Sequence, residues 1–278
     1  MSNFEIMNFL RGVFRFYINS SIHVALAVLA FYFITALEYN LKPSTTTSAF
    51  IFLGTISAYN FVKYASIAGL HHRSLTNSLR AIQIFSAVCF LLWIFLALQL
   101  SFTTILFIAL FGVTTVLYAV PFAQHRSLRM FSGLKIFVVA FVWAGITVII
   151  PFIASESAIT TDVILTFIQR FLIVVVLILP FEIRDIHYDA LALKTIPQQL
   201  GIKNTKKAGL AALSISLFIE FFKEASEAAY ITSLLLFSII LGWAVFISKK
   251  EQKRYFSSFW VEGLPILWFV MYITLKTI

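Results

Sequence analysis

The sequence predicts an all-α polytopic membrane protein, one domain over residues 1–278 built as a bundle of nine transmembrane helices. Three observations predict it. Hydrophobic residues make up 60% of the chain and charged residues 12%, with a mean hydropathy of +0.94. A soluble domain needs a far more polar surface than that. Nine apolar runs recur along the chain, each close to the ~20 residues that cross a hydrocarbon core. Between them, Lys and Arg fall almost wholly into alternate connections.

The runs cover residues 18–37, 46–64, 79–98, 102–120, 133–151, 161–181, 207–222, 228–247 and 260–278. In lipid, backbone groups must be bonded within the segment, so each run is expected to be helical. The first continues into a full span, and no small-residue cleavage site follows it, so it reads as a helix rather than a removed leader. The seventh is the shortest. No β-barrel alternation, low-complexity stretch or linker interrupts the series.

The basic residues test the count. With the N-terminus in the cytoplasm, 17 of the 21 Lys and Arg fall on the inner side, three (Lys42, Lys223, Lys276) on the outer side, and Arg170 within a helix. An incorrect number of spans would scramble this bias. The expectation is an integral protein of the plasma (inner) membrane, N-terminus cytoplasmic and C-terminus outside. The net charge of +9 is thereby explained as orientation, not as a nucleic-acid surface. The single cysteine, Cys89, lies in an apolar run and excludes an intramolecular disulfide.

The chemistry-bearing stretch follows the sixth run. Glu182, Asp185 and Asp189 place three of the chain's 12 acidic residues within eight positions. On a helix they share one face. Such a face can hold a divalent cation, pair with a basic group, or mark the exit from the membrane.

The string Ile183-Arg184-Asp185-Ile186-His187-Tyr188-Asp189, followed by Lys194-Thr195-Ile196-Pro197-Gln198-Gln199-Leu200-Gly201, resembles the second aspartate-rich motif of the UbiA superfamily of intramembrane prenyltransferases. The exit of the fourth run, Leu117-Tyr118-Ala119-Val120-Pro121-Phe122, is similar to that family's tyrosine-proline turn, after which His125, Arg126 or Arg129 stands in the place of a diphosphate-binding base. The resemblance implies a UbiA-type helical bundle with its site on the cytoplasmic face. It also implies transfer of a prenyl group from an isoprenoid diphosphate to a small lipophilic acceptor, with Mg²⁺ as cofactor. Asp185 and Asp189 would be catalytic and, with Glu182, metal-binding; Asn19, Asn60, Lys63, Tyr118, Arg126 and Lys194 would meet the substrate.

The second run departs from the family. Its first motif is reduced to Asn60, while Phe61, Tyr64 and Ala68 occupy the aspartate positions and Lys63 adds a cation. Two readings follow. Lys63 can replace a metal as a fixed charge on the diphosphate. It can instead pair with Asp185 or Glu182 as structure. The second reading implies a non-catalytic relative that binds an isoprenoid or lipid, or scaffolds a complex.

Four other polar features stand out. Arg15, Asn19 and His23 form a polar stripe if residues 15–23 are one helix, with Asn19 read as chamber-lining and His23 as an interhelical bond. Arg170 lies ~22 Å from Asp185 at helical rise, outside that site, and is expected to pair with Asp162, Glu156 or Glu220, or to face a wet pocket. His71 and His72 lack the spacing of zinc ligands. Trp93, Trp243, Trp260 and Trp268 read as packing or interfacial anchors.

Overall fold

The computed structural model describes residues 3–68, 77–119, 133–186 and 194–277. Among these residues the chain is helical, and the apolar runs fall on helices, the first being divided between two of them at Ser20–Ser21. The earlier of these two is α1 (Asn3–Asn19). Then come α2 (Ile22–Glu38), α3 (Thr45–Ala68), α4 (Asn77–Ala97), α5 (Phe102–Ala119), α6 (Leu134–Ala154), α7 (Thr161–Asp185), α8 (Ile196–Ile219), α9 (Ala228–Ile247) and α10 (Phe256–Thr277).

By length and composition, α4, α6, α7, α9 and α10 are able to cross a membrane, with a sixth span if α1 and α2 count as one bent pair. The other expected spans fall short for local reasons. Helix α3 carries Asn60 and Lys63 and α8 opens with Lys203, Lys206 and Lys207, while α5 is an apolar helix measured over its described residues Phe102–Leu117. Among the described residues the structure therefore gives five or six helices able to span, not the nine expected.

The helices close a ring in which α2 meets α6, α6 meets α7, and α8, α9 and α10 follow back to α2; α3 and α4 lie against the open side of α2. Helix α2 is apolar around most of its circumference and is correspondingly buried. Phe31 of α2, Ile173 and Val174 of α7, Phe237 of α9 and Trp268 of α10 form the centre of the core. Trp268 stacks on Phe237 at 4.5 Å and donates its indole N–H to Ser233 Oγ at 3.1 Å. Helices α4 and α5 turn large apolar side chains outward, among them Leu91 and Phe102, 66% and 80% exposed. A surface of that kind suits lipid.

Two helices contain π turns, at Gly145–Ile149 in α6 and Phe256–Val261 in α10. The first is a point of close approach. A Cβ on Gly145 would sit 2.0 Å from the Phe111 ring, so only glycine lets α5 meet α6 there.

The expected single first helix is broken. Ser21 takes a left-handed φ of 64°, and α1 leaves α2 at 55°. Arg15 and Asn19 therefore belong to a different helix from His23, and the expected polar stripe does not exist. His23 binds Tyr17 Oη at 2.7 Å and Phe259 O at 2.9 Å and stacks on the Phe259 ring, as an interhelical bond should.

A second polar layer lies at the end of the bundle away from Asp185. Lys223, just after α8, contacts Glu38 at 2.7 Å and Glu220 at 2.9 Å, all three side chains being under 9% exposed. Gln169 of α7 donates to Glu220 Oε2 at 3.0 Å and accepts from Tyr230 Oη at 2.9 Å. Arg170 does not take the carboxylate partners expected for it. It donates to Phe31 O at 2.9 Å, and its guanidinium lies 4.4 Å from the Phe31 ring centre and 5.2 Å from that of Trp268.

Candidate functional site at the motif end of the bundle

The site is built where α3, α6, α7 and the π turn of α10 end together near the α1–α2 break. The tail of the aspartate motif has a local structural cause. Thr195 begins α8 as a capping box in which Gln198 Oε1 accepts from the Thr195 N–H at 3.0 Å, and Pro197 fills the first turn, where a missing N–H costs nothing. Gly201 then bends the helix with φ 75°, a conformation disfavoured for side-chain-bearing residues. The Thr-x-Pro and Leu-Gly portions of the motif thus encode a helix start and a kink. Lys194, ahead of them, is exposed and has φ 41°.

The carboxylates of α7 separate. Glu182 is buried against α6, its Oε1 2.8 Å from Lys135 Nζ. Asp185, at the helix end, takes both ends of the neighbouring Arg184 fork, Nε to Oδ1 at 2.7 Å and Nη2 to Oδ2 at 3.0 Å. Arg184 also lies over the Phe181 ring at 5.3 Å. Asp189, His187, His71, His72 and Arg126 lie outside the described residues, as does the side chain of Tyr118. The expected trio on one face is therefore described only at Glu182 and Asp185, and these two have different partners.

On α3, Asn60 is buried and its amide is fully used. Ser21 Oγ donates to Oδ1 at 2.7 Å, while Nδ2 donates to Ser20 O at 2.9 Å and Ser86 Oγ at 2.7 Å. Asn60 therefore pins the α1–α2 break to α3 and α4. Asn60→Ala should leave Ser21 Oγ and Ser20 O, both on buried residues, and the half-buried Ser86 Oγ each one partner short and cost roughly 2–3 kcal/mol. A fall in the thermal midpoint in detergent, with no change in ligand affinity of the folded fraction, checks this.

Lys63 is free of both α7 carboxylates. Its Nζ donates to Asn19 O at 3.1 Å, a carbonyl that Tyr64 Oη also reaches at 3.0 Å. A cation at a helix C-terminus is well placed against the helix dipole. The ion pair expected on the structural reading, Lys63 with Asp185 or Glu182, is not formed. Asn19 takes part through its backbone rather than its side chain.

Glu262 was not singled out by the sequence. It follows the π turn of α10, and its carboxylate lies within the fields of Lys63 and Arg184. A lone Glu just inside an apolar run was the available signal. The described end of the bundle thus brings Lys63, Lys135, Arg184 and Lys194 together with the acidic side chains of Glu182, Asp185 and Glu262. Among the described residues no three acidic, His or Cys side chains are grouped to hold a metal. Among the described carboxylates, Glu182 is paired with Lys135 and Asp185 with Arg184, and Asp189 lies outside the described residues.

No protein-family model and no curated protein matches the chain. Solved structures do. A UbiA homologue from Aeropyrum pernix, solved without ligand, superimposes with a TM-score of 0.65 at 17% identity over 92% of this chain and 99% of its own. A UbiA homologue from Archaeoglobus fulgidus bound to GPP and Mg²⁺ gives 0.62 at 11% identity over 95% and 99%. A digeranylgeranylglyceryl phosphate synthase gives 0.57 at 12% identity over 95% and 98%. From one end to the other, the chain has the fold of the UbiA homologues.

Proposed function

We propose that this membrane protein binds an isoprenoid diphosphate at the cytoplasmic end of the bundle and transfers its prenyl group to a small lipophilic acceptor. One observation carries the reading. The chain aligns end to end with a UbiA homologue that holds GPP and Mg²⁺, and its Arg184-Asp185 motif closes the same bundle end that presents Lys63. The inward bias of Lys and Arg supports placing that end in the cytoplasm.

In this reading Lys63 is the principal fixed charge. It is exposed, makes one hydrogen bond to a backbone carbonyl, and is free to turn onto a phosphate oxygen. As the allylic C–O bond breaks, its electron pair leaves with the diphosphate, and Lys63 stabilises the charge that develops there. The acceptor oxygen or carbon bonds to the prenyl C1 and loses a proton. Mg²⁺ is commonly held by substrate phosphates together with one or two carboxylates, so the ion enters with the diphosphate as part of the substrate. Asp185 and Asp189 are assigned to meet that ion, and Arg126, Lys194 and Tyr118 to flank the phosphates. Glu182 is assigned to structure.

A second reading rests on the internal pairing of Glu182 with Lys135 and Asp185 with Arg184. Carboxylates already paired within the chain fit a protein that binds an isoprenoid or lipid without breaking a bond. Incubation of the purified protein with geranyl diphosphate, Mg²⁺ and a panel of phenolic and quinol acceptors separates the two. Release of diphosphate with formation of a prenylated acceptor supports transfer. Saturable binding without release supports the second reading and overturns the first. Lipid and quinone profiling of a deletion strain then identifies the acceptor.

A further inference from the structure

Beyond this site, α1 forms one wall of a groove of ≈ 460 Å³ whose other wall is the segment leading into α10. Arg11 and Arg15 of α1 and Arg254 opposite them line it, above an apolar floor that includes Leu10, Phe14 and Tyr255. The floor is built: Phe14 packs edge-on against Tyr255 at 5.0 Å and against Phe259 at 5.3 Å, which fixes α1 to α10. Arg254 lies over the Tyr255 ring at 5.4 Å. Among the described residues, no salt bridge joins any of the three arginines to a carboxylate.

Three guanidiniums around one groove call for an anion, and Arg forks suit phosphate oxygens. The apolar floor says which kind. Helix α1 also turns Ile6, Phe9, Leu10 and Val13 outward, between 43% and 63% exposed, at the i, i+3, i+4, i+7 spacing of one face. A free phosphate has no use for that face or floor. A helix with an apolar side, interspersed arginines and a sharp bend away from the next helix suits the plane of the membrane surface. We infer that α1 lies in the interface and that its groove with Arg254 binds the headgroup phosphate of an anionic phospholipid, its acyl chains running along the apolar face. The inference does not depend on the prenyl-transfer reading.

Native mass spectrometry of the purified full-length protein tests it, with dioleoylphosphatidylglycerol, dioleoylphosphatidylcholine and inorganic phosphate as probes. Phosphatidylglycerol is expected to bind at least about tenfold more tightly than phosphatidylcholine, and millimolar inorganic phosphate is expected not to displace it. Joint replacement Arg11→Gln, Arg15→Gln, Arg254→Gln should weaken phosphatidylglycerol by about 100-fold, and Arg254→Gln alone by about fivefold, from the typical contribution of each basic residue at an anionic surface. Joint replacement Lys203→Gln, Lys207→Gln, Lys250→Gln removes the same charge elsewhere and should leave the affinity within about twofold. Equal binding of both lipids, an equal loss in the lysine control, or displacement by phosphate overturns the inference. The single Arg254 variant keeps the test decisive if the triple variant fails to elute as a folded species.

Discussion

Lys223→Met is expected to destabilise the protein by about 3–5 kcal/mol, the range for removing one partner of a buried ion pair. Lys223 Nζ is within 2.7 Å of Glu38 and 2.9 Å of Glu220, and its side chain is 1% exposed. Without it, two carboxylates remain in an interior from which water is largely excluded. Glu220 keeps Gln169 and Ser226 as hydrogen-bond partners, so Glu38 bears most of the loss. The same logic predicts a rescue. Lys223→Met combined with Glu38→Gln removes the uncompensated charge and should recover more than half of the lost stability. Thermal unfolding in detergent measures both, and a loss below about 1 kcal/mol would show the cluster to be solvated. This layer sits at the far end from the motif, so ligand binding at the motif end should be unchanged in the folded fraction.

Lys63→Ala should lower prenyl transfer by about 100-fold, as removal of one preorganised donor to a developing negative charge does. Its effect on stability should be small, within about 0.5 kcal/mol, because Lys63 is exposed and bonds only a helix-terminal carbonyl. Lys63→Arg keeps the charge and should restore part of the rate. A Lys63→Ala protein that unfolds readily but binds prenyl diphosphate normally would assign Lys63 to structure. Turnover and melting measured on one preparation distinguish these results.

Much of the fold was legible because lipid leaves few choices. Length and apolarity mark helices, and the apolar runs fall on helices of the structure. The break at Ser20–Ser21 was not legible, because residues 18–37 are continuously apolar apart from small polar groups that a span tolerates. Helix α1 was missed for a related reason: a search for apolar runs passes over an amphipathic segment, whose apolar residues are spaced rather than contiguous.

At the site, the motif from Arg184 to Gly201 was legible as a string, but the string mixes two kinds of information. Thr195, Pro197 and Gly201 encode local backbone geometry, and only Asp185 and its neighbours carry charge to the opening. The partners of Glu182 and Lys63 depend on which helices meet, Lys135 being 47 positions from Glu182 and Asn19 being 44 from Lys63. Glu262 was visible only as a lone acid just inside an apolar run, because its surroundings include two cations on other helices. Arg170 invited carboxylate partners, yet it is held by two aromatic faces and a carbonyl, an option that sequence spacing does not reveal.

The central claim is that the motif end binds a prenyl diphosphate through Lys63, with Mg²⁺ entering alongside the diphosphate and not residing beforehand. Calorimetric titration of the detergent-solubilised protein with geranyl diphosphate, in Mg²⁺ and in EDTA, tests it most directly. Mg²⁺ alone should produce no binding heat, geranyl diphosphate with Mg²⁺ should bind saturably, EDTA should weaken that binding, and Lys63→Ala should weaken it by about 100-fold. Saturable binding of Mg²⁺ without diphosphate would contradict the counter-ion assignment, and no binding of prenyl diphosphates of any chain length in either condition would contradict the claim itself.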